Sequence, residues 1–196
     1  MLFVSALALS ACGKKSDAPA AGSGSASSSA AADPKADFVH VLGHHNPGKP
    51  TDPVVIDLPK FEVTKAAFDP ANPEGGTAQL TLDLASLSSN SPKRDKHLSS
   101  PDYLDVAKFA TVTIDVDNVK KQSGSTYTAD ANISIHGVQK KLPVTFDVVE
   151  TLPDGVRIHA KQAWKRSDFS IGAPEGGDET TADAQEIELQ LTLHKK

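Results

Sequence analysis

The stretch from Thr77 to Leu84 reads Thr-Ala-Gln-Leu-Thr-Leu-Asp-Leu and alternates between polar and apolar side chains. Ala78, Leu80, Leu82 and Leu84 occupy every second position, and polar side chains fill the positions between them. Successive side chains of a β-strand point to opposite faces, so this alternation predicts a strand with one buried face and one face in water.

The same period of two recurs along most of the chain after residue 36. Clear alternation is found at residues 111–116, 127–135, 142–148 and 187–193, and weaker alternation at residues 37–43, 54–67 and 155–164. Pairs typical of turns stand at Gly75-Gly76, Ser123-Gly124, His136-Gly137 and Asp154-Gly155. Together these signals predict eight antiparallel strands.

Strands with a single dry face either close into a barrel or split into a sandwich. Closure removes the exposed edge strands, and the sequence offers no long helix to cover an open sheet. Ser91-Pro92 and Ser100-Pro101 each supply a helix N-cap followed by proline, which predicts short helical segments at about residues 91–106, between strands three and four. We therefore favour an all-β, eight-stranded antiparallel barrel over the sandwich.

The inward positions are mainly aliphatic, and aromatic residues make up only 5% of the chain. An eight-stranded barrel is just wide enough to be filled by its own side chains or to hold one small ligand. Side chains of small and medium size favour the second case, an elongated apolar cavity. The predicted lining residues are Leu80, Leu82, Leu84, Val112, Ile114, Val116, Ile133, Ile135, Val144, Phe146, Leu189 and Leu191.

Local motifs resemble those of the YceI-like family across roughly residues 75–193. They stand in order at residues 83–87, 93–98, 100–109, 133–138 and 165–172. The resemblance implies a lipocalin-like barrel in the bacterial periplasm that carries a polyisoprenoid or another long-chain lipid, such as an isoprenoid quinone or a fatty amide. Ser170 and the Tyr103-Leu104 pair depart from the family pattern.

Charged side chains within two of these motifs have two interpretations. Arg94, Asp95 and His97 could contact a polar lipid head group, because a guanidinium donates two parallel hydrogen bonds to a phosphate. They could equally pair among themselves and fix the helical segment over the barrel end. Arg166 and Asp168 leave the same alternatives open, and the structural role is favoured for both groups.

The N-terminal segment is predicted to be a targeting signal and not part of the folded domain. Residues 2–11 form a short apolar run suited to a secretory signal, and Leu9-Ser10-Ala11 precedes Cys12 as in a bacterial lipobox. We expect a lipoprotein signal peptide at residues 1–11 and a lipid such as palmitate on Cys12, which would hold the protein in the cell envelope. Gly13, in place of aspartate, favours the outer membrane over the inner membrane.

A linker is predicted between this anchor and the barrel. Of the 17 residues from 16 to 32, 15 are Ala, Ser or Gly, a composition that cannot bury enough apolar surface to stay ordered. The predicted domains are therefore the signal peptide at 1–11, the lipidated cysteine and linker at 12–36, and the barrel at 37–196.

Composition argues against several other classes of protein. The net charge is −5 and Lys and Arg form no basic stripe, so no nucleic-acid partner is expected. The single cysteine leaves no intramolecular disulfide. No nucleophile elbow or phosphate-binding glycine loop is present, and His40, His44, His45, His97 and His136 lack the spacing of a metal site, so neither an enzyme nor a metal or cofactor is expected.

Two functions remain. The first is an envelope lipoprotein whose barrel binds a long-chain lipid as a carrier or buffer, with the membrane reached through Cys12. The second is a non-enzymatic interaction module on the envelope surface, with a packed barrel or a sandwich. A homodimer is a further partner hypothesis.

Overall fold

A computed structural model describes residues 33–46, 53–172 and 181–196. These residues form one antiparallel sheet of nine strands. The strands are β1 (Phe38–Gly43), β2 (Val54–Asp57), β3 (Phe61–Asp69), β4 (Asn72–Asp83), β5 (Thr111–Ser123), β6 (Thr126–Ile135), β7 (Val138–Leu152), β8 (Gly155–Lys165) and β9 (Ala184–His194).

The sheet curls into a lipocalin-like barrel, as predicted. The strand order is β2-β1-β9-β8-β7-β6-β5-β4-β3. The two end strands of this order, β2 and β3, are consecutive in the chain, so residues 58–60 connect one end of the sheet to the other. The backbone N–H of Leu58 also donates to Val39 O at 3.0 Å, and that of Lys196 donates to Ala66 O at 2.8 Å. All nine strands belong to one sheet, which excludes the sandwich.

The predicted number of strands was wrong by one. The segment 54–67 contains two strands, β2 and the start of β3, with Pro59 between them. Proline has no backbone N–H for a β-ladder, so it interrupts the strand. The inward positions also change from even numbers, as in Ile56 and Leu58, to odd numbers, as in Val63, across this break.

Short helical segments lie between β4 and β5, also as predicted. Helix α1 (Pro92–Leu98) begins after Ser91, with proline at its first position. The second predicted segment is a series of turns and not a helix. The Ser100 hydroxyl donates to His97 O at 2.7 Å, and Asp105 takes a left-handed φ of 45°, which ends any helical run.

The two ends of the barrel differ. The turns of the β3–β4, β5–β6 and β7–β8 hairpins lie at one end, here called the closed end. The connections β4–β5 and β6–β7 lie at the other, together with the described parts of the β8–β9 connection, residues 166–172 and 181–183. This end also carries α1 and a 3₁₀ turn, Arg166–Phe169. This second end is here called the mouth.

The predicted signal peptide, Cys12 and residues 12–32 of the linker lie outside the described residues, and the domain boundary at residue 36 stays a prediction. Residues 33–36, assigned to the linker, lie against the barrel: Gln190 Nε2 donates to Pro34 O and Ala36 O, both at 3.0 Å. Among the described residues, no helix has the length and apolarity needed to cross a bilayer.

Candidate functional site

The interior of the barrel is a cavity of about 1040 Å³. Cross-strand pairs bring the inward faces together: Leu80 lies opposite Ile114 and Leu82 opposite Val112. All twelve residues predicted from the alternation line this cavity. Its wall is predominantly aliphatic, because every strand contributes its apolar face.

Aromatic side chains form the floor of the cavity towards the closed end. Tyr127 and Phe146 occupy paired positions on β6 and β7, and their rings stack with centroids 5.6 Å apart. Tyr127 is buried together with Val119 and Ala129, and both Phe146 and Val119 face the cavity. Tyr127 and Phe146 therefore fill the closed end of the barrel, and the axis between them and the mouth stays open.

The cavity wall near the mouth comes from segments that are not strands. Leu84 and Leu87 follow β4, Leu98 ends α1, and Tyr103 lies in the turns beyond it. Phe169 of the 3₁₀ turn packs edge-to-face against Trp164, at the end of β8, with ring centroids 6.0 Å apart, and both line the cavity. Of these residues only Leu84 was predicted as cavity wall, since the others lie outside the clearly alternating segments.

Arg166 is buried beside the mouth, and its contacts favour the structural interpretation. Its Nε donates to Ala182 O at 3.0 Å, Nη2 to Thr181 O at 3.0 Å and Nη1 to Ile171 O at 3.4 Å. The guanidinium also faces the cavity. Since backbone carbonyls on both sides of the β8–β9 connection accept these bonds, Arg166 holds the two arms of that connection together.

The other charged residue of this motif, Asp168, does not face the cavity. Its Oδ1 accepts a hydrogen bond from Lys140 Nζ at 2.6 Å, which fixes the 3₁₀ turn to β7. Asp168 therefore also has a structural contact, and it pairs with a lysine of another strand and not with Arg166.

A carboxylate on the other arm completes this arrangement. The backbone N–H and the hydroxyl of Ser167 donate to the two oxygens of Asp183, each at 2.8 Å. The backbone hydrogen bond, followed by the hydroxyl bond and the nearby charge of Arg166, lowers the pKa of Asp183. The ionised carboxylate thus contributes to holding the mouth in place.

On α1, the predicted internal pair of Arg94 and Asp95 does not form. Asp95 Oδ1 accepts from the backbone N–H of Ser89 at 2.8 Å and from its hydroxyl at 2.5 Å. Arg94 Nη1 donates to Ser89 O at 3.3 Å. Both side chains instead contact the same serine before the helix, and of the two only Arg94 lines the cavity.

His97 also lines the cavity, and its ring lies 5.5 Å from that of Tyr103. Of the other histidines considered from the sequence, His44, His45 and His136 also line the cavity, and His40 does not. His40 stacks on Phe38, His44 bonds Glu186, and His136 packs against Phe109. Within the part of the chain that the structure describes, no three His, Cys, Asp or Glu side chains are placed to hold a metal ion.

The site therefore combines a long apolar interior with a polar mouth. An apolar cavity with a few polar groups at one end is suited to a ligand that has a long apolar body and one polar end. Arg94, His97 and Arg166 supply donors at that end. The cavity volume lies at the upper limit of ordinary ligand pockets, which leaves room for an extended chain.

Comparison with known proteins assigns the fold to a family. The family model described as YceI-like domain matches residues 31–193. The chain belongs to the YceI-like family. The YceI-like domain thus includes every strand of the barrel, the α1 segment and the β8–β9 connection.

Relatives of this YceI-like protein include UPF0312 proteins of several bacteria. That of Pseudomonas fluorescens is 41% identical over 134 residues, 65% of this chain and 66% of the relative. That of Azotobacter vinelandii is 38% identical over 78 residues, 40% of this chain and 41% of the relative. The match thus spans about two fifths of the length of the Azotobacter protein.

Solved structures share the fold of this YceI-like domain. Burkholderia cenocepacia BcnA superposes with a TM-score of 0.71 at 22% identity, covering 80% of this chain and 96% of BcnA. A polyisoprenoid binding domain from Saccharophagus degradans gives 0.63 at 14% identity, covering 83% and 95%. The Campylobacter jejuni YceI protein gives 0.66 at 20% identity, covering 73% and 85%.

Proposed function

We propose that the protein binds one long-chain lipid inside the barrel, as a carrier or buffer, and that the lipid is a polyisoprenoid, an isoprenoid quinone or a fatty amide. The observation that carries this proposal is the apolar cavity of about 1040 Å³ inside the YceI-like barrel. The Saccharophagus domain of the same fold is named for polyisoprenoid binding, which supports the same ligand class here.

The driving force is the transfer of apolar chain out of water, at about 0.8 kcal/mol for each buried methylene group. Ordering of the flexible tail opposes part of this gain. Because the wall offers mainly aliphatic contact and tail ordering offsets part of the gain from each methylene group, the proposal predicts loose selectivity for chain structure and for chain length.

The polar end of the lipid is proposed to lie at the mouth. Arg94 is the better candidate for a head-group contact, because one hydrogen bond of 3.3 Å leaves most of its donors available. His97 lies one turn along the same helix and faces the same cavity. Arg166 is assigned a positioning role, since three backbone carbonyls already accept its hydrogen bonds.

The proposal includes anchoring to the bacterial envelope, on the periplasmic side and in the outer membrane. Its support is the sequence around Cys12, with an apolar run before it and a linker rich in Ala, Ser and Gly after it. Growth of the producing bacterium with labelled palmitate should label the native protein, and a Cys12→Ala variant should be unlabelled and released from the membrane fraction.

No chemistry is assigned to the cavity, and the protein is proposed to act without catalysis. Its wall is predominantly apolar, and binding of an apolar chain requires no reaction there. Homodimerisation stays a prediction, which light scattering of the purified protein at several concentrations checks.

The decisive experiment is organic extraction of protein purified from its native host without detergent, followed by mass spectrometry. Lipid binding predicts one long-chain species in near-stoichiometric amount, with its mass giving the lipid class. If the extract contains no lipid and the delipidated protein takes up no apolar fluorescent probe, the barrel is an interaction module and the lipid proposal fails.

A further inference from the structure

Helix α1 turns its basic side chains outward beside the mouth. Lys93, Arg94 and Lys96 are exposed, and so is His97. On the described residues, no carboxylate lies within ion-pair distance of the three longer side chains, whereas the lysines of the barrel wall such as Lys140 and Lys141 have such partners. Within the described ranges, the helix thus presents three cations without a carboxylate partner, of which only Arg94 makes a hydrogen bond to the fold, to Ser89 O.

The one acidic residue of α1 does not offset these charges at the surface. The carboxylate of Asp95 is half-buried and accepts both the backbone N–H and the hydroxyl of Ser89. Its charge therefore points towards the preceding loop, on the inner side of the helix. The outer side of α1 carries positive charge alone.

This basic surface borders the cavity. Arg94 and His97 contribute to the cavity wall, and Leu98 is buried in the core and fixes the helix in place. Residues 91–110 hold Lys93, Arg94, Lys96 and Lys108 against Asp95, Asp102 and Asp105, a net charge of +1. Residues 37–196 as a whole carry −6, so the mouth segment has the opposite sign to the rest of the barrel.

We propose that α1 docks the barrel, mouth first, on an anionic phospholipid surface, which is where an apolar ligand must enter or leave. At about 0.1 M salt the Debye length is about 10 Å, so only charges close to the lipid contribute. The eleven residues of β8 rise about 36 Å, which places the acidic groups of the closed end several Debye lengths away. The charges of α1 and its neighbours at the mouth therefore outweigh those of the closed end.

The predicted anchor is compatible with this orientation. The first described residue, Asp33, lies near the closed end, where Lys35 pairs with Glu150 at 3.2 Å. Twenty residues separate Cys12 from Asp33. A chain of that length spans at most about 70 Å, about twice the rise of β8, so an anchor at Cys12 leaves the mouth free to face the same membrane.

The test compares two charge-reversed variants. K93E/K96E reverses two exposed lysines of α1 that do not line the cavity, and K120E/K121E makes the same charge change on β5 near the closed end. Each variant is mixed with vesicles of phosphatidylcholine, with and without phosphatidylglycerol, at about 0.1 M and about 1 M salt. Flotation measures docking, and transfer of a fluorescent polyisoprenoid from the vesicles measures ligand uptake.

We expect phosphatidylglycerol to increase docking and uptake by the wild type at the lower salt concentration, and the higher concentration to abolish the increase. Each lysine near an anionic membrane raises the affinity for it about fivefold. K93E/K96E should therefore bind the vesicles at least about 25-fold more weakly than the wild type, whereas K120E/K121E should bind like the wild type. Uptake of the probe from solution should be the same for all three proteins, because the cavity is unchanged.

Equal docking of the two variants, or docking that does not depend on phosphatidylglycerol, overturns the proposal. Flotation without probe separates this result from a failure of lipid binding. If the protein docks through α1 but takes up no probe, the docking proposal holds and the proposed lipid binding is wrong. If the protein takes up probe equally from both kinds of vesicle, lipid binding holds and the docking proposal is wrong.

Discussion

The guanidinium of Arg166 lies over the ring of Tyr103, with Cζ 5.4 Å from the ring centroid. Arg166 belongs to the turn after β8, and Tyr103 to the turns after α1, so this contact joins the two segments that surround the mouth. Both side chains are buried. The mouth is therefore built around a cation whose hydrogen bonds go to backbone carbonyls.

Replacing Arg166 should destabilise the fold. Arg166→Ala leaves three carbonyls without their donor and removes the contact with Tyr103, which should lower the free energy of unfolding by about 3–5 kcal/mol. Arg166→Lys keeps the charge but cannot donate to all three carbonyls, so its free energy of unfolding should lie between those of Arg166→Ala and the wild type. Urea denaturation measures both, and the exposed neighbour Lys165→Ala serves as the control, with an expected change within about 0.5 kcal/mol. A loss for Arg166→Ala as small as that of the control would contradict the structural role.

The inward faces of the strands could be predicted from sequence because alternation is imposed by the geometry of a strand with one buried face. That reasoning led from Leu80 and Leu82 to the partner strands, and the register places their side chains opposite Ile114 and Val112. The breaks in regular structure were less well predicted. Pro59 and the change of phase around it were visible in the sequence, but the weak alternation of 54–67 was interpreted as one strand.

The Gly75-Gly76 pair shows why a turn motif alone is insufficient. We predicted a turn there, whereas the structure places both glycines inside β4 and the hairpin turn at residues 70–71. Gly75 has φ of 74°, and a Cβ on Gly76 would lie 2.7 Å from Phe68 Cβ. The glycines therefore permit an irregularity in the β3–β4 ladder, which depends on the partner strand and not on the local sequence. The Ser-Pro pairs predicted helical turns over one barrel end, but the α1 segment and the β8–β9 connection lacked any periodic signal, so which of their residues line the mouth could not be derived from residue patterns.

The closing glycine of the β7–β8 hairpin should tolerate no side chain. A Cβ on Gly155 would collide with the backbone carbonyl of Leu193 on the paired strand β9, so Gly155→Ala must displace the ladder. Gly124, in the β5–β6 turn, has φ of 53° and open space around it, so Gly124→Ala should lose only about 1–2 kcal/mol from backbone strain. Thermal or urea unfolding should show the larger loss for Gly155→Ala, and the reverse order would contradict the register of β8 and β9.

Stability should fall in acid as Asp183 becomes protonated. Its pKa is lowered from 3.8 in the folded protein, first by the backbone hydrogen bond from Ser167. A lowered folded pKa means that the ionised group stabilises the fold fully above the unfolded value and loses this effect as the pH falls through the folded value. Urea unfolding measured from neutral pH to below pH 4 should therefore show a smaller acid-dependent loss for Asp183→Asn than for the wild type. Asp102→Asn, an exposed carboxylate of the mouth segment, is the control and should keep the wild-type slope.

Filling the cavity should separate ligand capacity from stability. Ala131 faces the cavity from β6, opposite Leu142 of β7, so Ala131→Trp places a large side chain in open space. The free energy of unfolding should stay constant or rise by about 0.5–2 kcal/mol, as for other cavity-filling changes. Affinity for long apolar chains should fall steeply, while short chains that occupy only the part of the cavity near the mouth should bind almost as before.

Val149→Trp puts the same side chain on the outer surface of β7, where Val149 is 53% exposed, and should leave binding of every chain length unchanged. Titration with fatty alcohols of increasing length measures both variants, and equal affinities for all lengths in Ala131→Trp and wild type would show that the ligand lies outside the barrel.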